Sequence, residues 1–211
     1  MKKFISILFI LLFFSACKPT ASVITSKKEA EKKGIYSPPQ SKKTVVKREI
    51  PEKGKVSDSR KPNKKSRLNE NNDDDYVVSN EDASYLVKQL INSASENLGA
   101  SYKAGGITPD GFDCSGFIYA TFKKFDIILP RSSVDMAKLG TKLNPNEIQK
   151  GDLIFFKTRG KNVINHVGMV IEVNNDEIKF IHSSTQKGVM ISSTKEPYFV
   201  NTFSQANRIL L

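Results

Sequence analysis

One cysteine stands in a context suited to chemistry. Asp113-Cys114-Ser115-Gly116 follows a glycine-rich approach (Gly105, Gly106, Gly111) and precedes an apolar stretch over residues 117–125. The chain has two cysteines and two histidines. The histidines, His166 and His182, lie downstream in strand-like sequence. A cysteine with two distant histidines points to a thiol nucleophile, its general base, and a group that orients the base. The residue types leave other roles open for Cys114: an inert buried thiol, a disulfide partner of Cys17, or a zinc ligand beside the two histidines with a fourth group missing. Each histidine taken singly is also compatible with an ordinary strand position.

The elements that must position these residues read as an α+β layout, with helices gathered ahead of an antiparallel sheet. Residues 81–99 carry Tyr85, Leu86, Leu90, Ala94 and Leu98 at helical spacing, with Asp82 as the expected N-cap and Gly99 as the stop. Cys114 opens a second expected helix, capped by Asp113, with Phe117, Ile118, Thr121, Phe122 and Phe125 as its apolar stripe. A cysteine in a first helical turn meets free N–H groups and the positive end of the helix dipole, so a lowered thiol pKa and part of an oxyanion hole are expected there. Gly116 is costly within a helix and signals close packing or substrate approach. A short helix is expected to run to about Leu139. Strands are expected over residues 152–156, 162–173, 177–183 and 188–193, with a hairpin turn at 174–176.

That hairpin has a geometric consequence. A turn at 174–176 makes paired positions sum to about 348–350, and every even sum puts His166 and His182 on one face as direct or diagonal neighbours. Two imidazoles so placed can hydrogen-bond, one as base and the other fixing its tautomer. The expectation is that the Cys114 helix packs on that same face.

The chain is 211 residues long with a net charge of +11, enough for one or two domains. The charge is uneven. Residues 18–80 hold 16 Lys/Arg against 9 Asp/Glu, whereas residues 81–211 hold 15 against 13. Tyr36 and Tyr76 are the only aromatics of the basic stretch, too few stacking platforms for a nucleic-acid binder. Basic segments of this kind also meet anionic lipid or acidic wall polymer. Residues 18–80 hold five prolines and no lasting apolar period, and read as a disordered basic tether. As a flexible coil it would span about 40–45 Å. Before it, Lys2 and Lys3 precede an 11-residue apolar run over residues 4–14, which fits a secretory signal and is short for a membrane span. Phe14-Ser15-Ala16-Cys17 resembles a bacterial lipobox, so residues 1–17 read as a lipoprotein signal with Cys17 as the lipidated residue.

Several blocks together resemble the NlpC/P60 family of cell-wall cysteine peptidases. They are Leu98-Gly99-x-x-Tyr102-x-x-Gly105-Gly106; Gly111-Phe112-Asp113-Cys114-Ser115-Gly116-Phe117; Leu129-Pro130-Arg131-Ser132-Ser133; Gly151-Asp152-Leu153-Ile154-Phe155-Phe156; Asn165-His166-Val167-Gly168-Met169; Phe180-Ile181-His182-Ser183-Ser184; and Gly188-Val189-Met190-Ile191-Ser192. The resemblance implies a papain-like catalytic domain over residues 81–211 and cleavage of peptidoglycan stem peptides without cofactor or metal. It makes Cys114 the nucleophile, His166 the base and His182 the orienting residue. It places Tyr102, Asp113, Ser115 and Arg131 at the oxyanion or substrate groove. The ending Glu196-Pro197-Tyr198-Phe199 is similar to the single-domain lipoprotein subgroup. A monomer in the cell envelope follows, anchored to a membrane through Cys17 and binding no nucleic acid. Met136, Lys150 and Glu172 depart from the family pattern, and bear on substrate preference rather than on the three catalytic positions. A non-catalytic wall-binding lipoprotein and an amidase cutting at the sugar–peptide junction are the alternatives.

Overall fold

The computed structural model describes residues 23–38, 80–160, 162–174 and 176–210. The expected signal segment, Cys17 and residues 39–79 of the expected tether lie outside the described residues. The first described piece already corrects the tether reading. Residues 23–38 pack on the domain. Ile24 bridges Ile191 antiparallel, with N–H···O bonds of 3.1 and 2.8 Å. Helix α1 (Lys27–Lys32), capped by the Ser26 hydroxyl, follows. Ile24 and Ala30 are fully buried and Tyr36 nearly so. Three apolar side chains six residues apart match no regular helical or strand period, so their burial left no periodic trace in the sequence.

Helix α2 spans Asn80–Ser95. Its backbone is already helical at Asp82, so that residue lies inside the helix and not at its cap. The helix ends at Ser95, and Gly99 follows with φ +86° in the turn beyond. Leu90, Ala94 and Leu98 face the core, whereas Tyr85 is exposed. A two-stranded ribbon, β1 (Ile107–Thr108) and β2 (Gly111–Phe112), leads into α3 (Cys114–Lys123). Phe117, Ile118 and Phe122 on α3 are fully buried and Thr121 nearly so, as the stripe predicts, whereas its last member, Phe125, lies past the helix end and is half-buried. The short α4 (Ser133–Met136) follows.

The main sheet has six strands in the order β3-β8-β4-β5-β6-β7. They are β3 (Thr141–Leu143), β4 (Leu153–Phe156), β5 (His166–Asn174), β6 (Glu177–Ser184), β7 (Gly188–Ser193) and β8 (Phe203–Arg208), with α5 (Pro197–Val200) before the last. The four expected strands are present, and β3 and β8 extend the sheet beyond them. All pairings within it are antiparallel.

Both faces of the sheet are covered. Val167, Met169, Ile171 and Ile181 meet Leu90, Phe117, Ile118 and Phe122 in the larger core. Ile154, Phe156, Val170, Phe180 and Phe199 form a second, aromatic core on the other face. Period-two alternation thus sends Val167 toward α3 and His166 away from it. The expectation that α3 packs on the histidine face is corrected: it packs on the opposite one.

The pairing of β5 with β6 holds the key irregularity. Near the turn Asn174 faces Glu177 and Val173 faces Ile178; beyond it Val170 faces Phe180 and Met169 faces Ile181. Ile171 is the extra residue, a β-bulge. The odd register at the turn would put His166 and His182 on opposite faces. The bulge shifts the register by one and restores the even pairing.

Candidate active site

The thiol is placed by backbone and by a polar clamp. Asp113 caps α3: its Oδ1 accepts from the Gly116 N–H at 2.6 Å, and its Oδ2 from the Gly105 N–H at 2.9 Å. Arg131 grips the same carboxylate with both arms, Nη1 to Oδ1 at 3.0 Å and Nη2 to Oδ2 at 2.5 Å, and also donates to Ser115 Oγ at 3.0 Å. Ser115 donates in turn to Asp113 Oδ1 at 3.3 Å. Burial works to raise the Asp113 carboxyl, but Arg131 and the two N–H groups outweigh it and hold the pKa below the ordinary carboxylate value. Gly116 sits where a Cβ would run into the Gly106 carbonyl, Arg131 and Asp113. Its absence of side chain serves close packing of this clamp. Asp113, Ser115 and Arg131 therefore brace the start of α3 with one another.

The imidazoles are placed by packing. His166 Nε2 and His182 Nδ1 lie 2.9 Å apart, and both rings are nearly excluded from solvent, at 8% and 2% exposure. Phe199 lies over both, with ring centres 6.4 Å from His166 and 5.3 Å from His182. Phe156 flanks His166 at 6.1 Å and Phe180 flanks His182 at 5.2 Å. Burial pushes the pKa of His166 down to about 4, with the charge of Arg159 adding to it. Burial and the neighbouring His166 push His182 well below its usual value. Both rings are neutral at physiological pH.

The two halves meet at an open cavity of about 200 Å³, lined by Tyr102, Cys114, Asn165, His166, His182 and Phe199 among others. Cys114 Sγ faces the Asn165 carbonyl at 3.8 Å. Asn165 is locked in turn by Thr158, which donates from its N–H at 2.7 Å and its hydroxyl at 3.0 Å. Burial raises the Cys114 pKa, and the Asp113 charge raises it further; the N–H groups of Ser115, Val167 and Cys114 itself act in the opposite direction. The expected lowering of the thiol pKa by the helix start is therefore reversed: desolvation wins. Burial also raises Tyr102, followed by the charges of Cys114 and Asp113.

Of the residues predicted from sequence, Cys114, His166, His182 and Tyr102 converge on this cavity. Asp113, Ser115 and Arg131 form the clamp beside it, and are absent from its wall. Asp152 is buried in a bidentate pair with Arg208, at 3.0 and 2.9 Å, at the far end of β4. Sequence reasoning did not single out Asn165, Thr158, Phe156, Phe180 or Phe199 as parts of the site. Asn165 had a signal in its place just before His166. The phenylalanines stand in quoted motif blocks, but on three separate segments, so nothing in the sequence joined them around the histidines.

A sequence model of the NlpC/P60 family matches residues 99–208. The chain is 44% identical over 124 residues to a Haemophilus influenzae protein named "Probable endopeptidase NlpC homolog", an overlap covering 58% of this chain and 63% of that one. It is 46% identical over 113 residues to the "Probable endopeptidase NlpC" of Escherichia coli, covering 53% and 70%. It is 36% identical over 123 residues to the Escherichia coli "Murein DD-endopeptidase MepS/Murein LD-carboxypeptidase", covering 58% and 62%. The match thus spans less than two thirds of the first and third of these relatives. A solved NlpC/P60 family structure from Bacillus cereus aligns with a TM-score of 0.55 at 34% identity, over 59% of this chain and 40% of that one. With more than half of its length matched, with these relatives and with a fold of helices on an antiparallel sheet in common, the chain belongs to the NlpC/P60 family.

Proposed function

We propose that the chain is a cysteine-type peptidoglycan hydrolase, an endopeptidase acting on an amide bond of stem peptides or their cross-links. The observation that carries this reading is the convergence of the Cys114 thiol and a hydrogen-bonded histidine pair on one open cavity. The names of its relatives support the substrate class: a murein endopeptidase and a gamma-DL-glutamyl hydrolase are among them.

The contacts of the site support the following roles. His166 Nε2 is engaged by His182, so Nδ1 is the nitrogen left for the thiol. A thiol with a raised pKa beside an imidazole with a lowered one rests as a neutral pair. Proton transfer therefore belongs to the attack itself. Sγ bonds to the amide carbonyl carbon as its proton passes to His166 Nδ1. The N–H groups at the start of α3 and the Tyr102 hydroxyl, which lines the cavity, are the proposed donors to the developing oxyanion. Collapse breaks the C–N bond, and the amine leaves with the proton from His166. Water then attacks the thioester, gives its proton to His166, and releases the carboxylic acid and the free thiol.

Two bonds suit this chemistry, γ-D-glutamyl–diaminopimelate within a stem and D-alanyl–diaminopimelate across stems. Incubating the full chain with intact muropeptides, beside Cys114→Ala, and weighing the products tests the reading. Cleaved stems or separated dimers are expected, with a loss of at least roughly 10³-fold in the variant. No product on any substrate would overturn it in favour of a binding role, and free glycan with whole stems would make it an amidase. The proposal extends to location: a monomer acylated at Cys17 and held at an envelope membrane, facing the periplasm from the outer membrane in a Gram-negative cell. The mass of the mature N-terminal peptide isolated from cells checks this, and an unmodified Cys17 rules it out.

A further inference from the structure

The hydrogen-bond line through the two histidines does not stop at the second one. His182 Nε2 lies 3.1 Å from Ser192 Oγ, and Ser192 is 2% exposed. His166, His182 and Ser192 stand on three successive strands, β5, β6 and β7. His182 pairs with Met190 and Ser192 with Phe180, so His182 and Ser192 share a face as diagonal neighbours. The line crosses three strands of the sheet on its aromatic side.

Proton bookkeeping gives this line a direction. A neutral imidazole has one N–H. For His166 Nδ1 to accept the thiol proton, the His166 hydrogen must sit on Nε2 and be donated to His182 Nδ1. His182 must then carry its own hydrogen on Nε2, and that hydrogen meets Ser192 Oγ. The opposite arrangement, with hydrogen on His182 Nδ1, would put a hydrogen on His166 Nδ1 and leave no lone pair for the thiol. In the dry aromatic core a His182 N–H without an acceptor is costly.

We propose that Ser192 is a positioning residue of the catalytic array: as acceptor at the far end of a β5–β6–β7 relay, it holds His182 in the tautomer that leaves His166 Nδ1 free. The assignment rests on the thiol–imidazole reading above. Ser192 touches neither thiol nor cavity, and acts through His182 alone. On forming the imidazolium, His166 Nε2–H strengthens its bond to His182 Nδ1, and Ser192 keeps the His182 ring from turning away.

The chain has two histidines, so long-range proton–nitrogen NMR of the ¹⁵N-labelled full chain reads both tautomers directly. In the unsubstituted protein the hydrogen is expected on Nε2 of both rings. In Ser192→Ala it is expected to move toward His182 Nδ1, with kcat on muropeptides lowered roughly 10- to 100-fold and KM within about twofold. This is milder than the ~10⁴-fold loss seen when the orienting residue itself enforces the wrong tautomer. Ser192→Thr, which keeps the oxygen, is expected to restore both tautomer and kcat. Ser192→Ala with kcat within twofold and hydrogen still on His182 Nε2 would overturn the proposal. Should that variant lose its cooperative melt, the unsubstituted spectrum still decides, since hydrogen on His182 Nδ1 contradicts the relay. A tautomer response without any turnover would uphold the relay and sink only the hydrolase reading.

Discussion

The thiol half and the imidazole half of the site are built from opposite materials. Cys114 is held by charge and backbone: a carboxylate, a guanidinium, two N–H groups and a glycine that lets them close. His166 and His182 are held by three phenylalanine rings, with one imidazole–imidazole bond and one serine. The difference teaches where each half is vulnerable. A polar clamp at a partly exposed position loses little when one contact weakens, because water replaces it. An aromatic enclosure fails when opened, because it keeps two titratable rings neutral and aligned only while water stays out.

The comparison can be broken at Phe199, where the largest effect is expected. Phe199→Ala leaves a cavity over both histidines and should cost about 3–5 kcal/mol in stability, measurable as a lower denaturant midpoint. A cost below about 1 kcal/mol would mean that the roof is dispensable. A smaller effect is expected from acid. With His166 near 4 in the folded chain against 6.5 unfolded, the unfolded state binds more protons between those values. The stability from His166 is present in full above about pH 6.5 and is lost as pH falls toward 4. By pH 5 the loss is on the order of 2 kcal/mol, and His182 adds to it in the same direction. Urea titrations at pH 7.5 and pH 5 check this, with His166→Gln expected to flatten the difference. The smallest effect belongs to the clamp. Arg131→Lys keeps the charge and loses the fork; Arg131 is 41% exposed, so about 1 kcal/mol or less is expected, with a few-fold change in kcat. If Arg131→Lys proved more damaging than Phe199→Ala, the contrast between the halves would be reversed.

The same contrast explains what could be read from the chain. The thiol half is local: cap, cysteine and glycine stand within four residues, and α3 begins where Asp113 says it should. A shared face for His166 and His182 was expected for even registers alone; the turn itself pairs in an odd one, and the even pairing comes from the bulge at Ile171, which has no composition of its own. The face chosen by α3 was not legible. Strands buried on both sides read as continuous apolar runs, so neither face announces its partner. Nor was the direction of the thiol pKa, since helix-start effects are local and desolvation belongs to the assembled fold. Sequence placed Tyr102 near the cysteine, whereas Phe199 reaches the histidines from a four-residue helix after β7.

The strap of residues 23–38 bears on how far this domain can travel. A leash is measured to the first residue that is held, and among the described residues that is Ile24, locked to the edge of β7. With Cys17 as the proposed anchor, seven peptide steps separate lipid from fold, at most about 25 Å even when taut. Residues 39–79 join the end of the strap at Pro38 to the start of α2 at Asn80, so they add no length to that leash. Under the proposed anchoring, a 63-residue coil would let the domain search a wide shell of wall, whereas a seven-step one would confine it to the layer next to the bilayer.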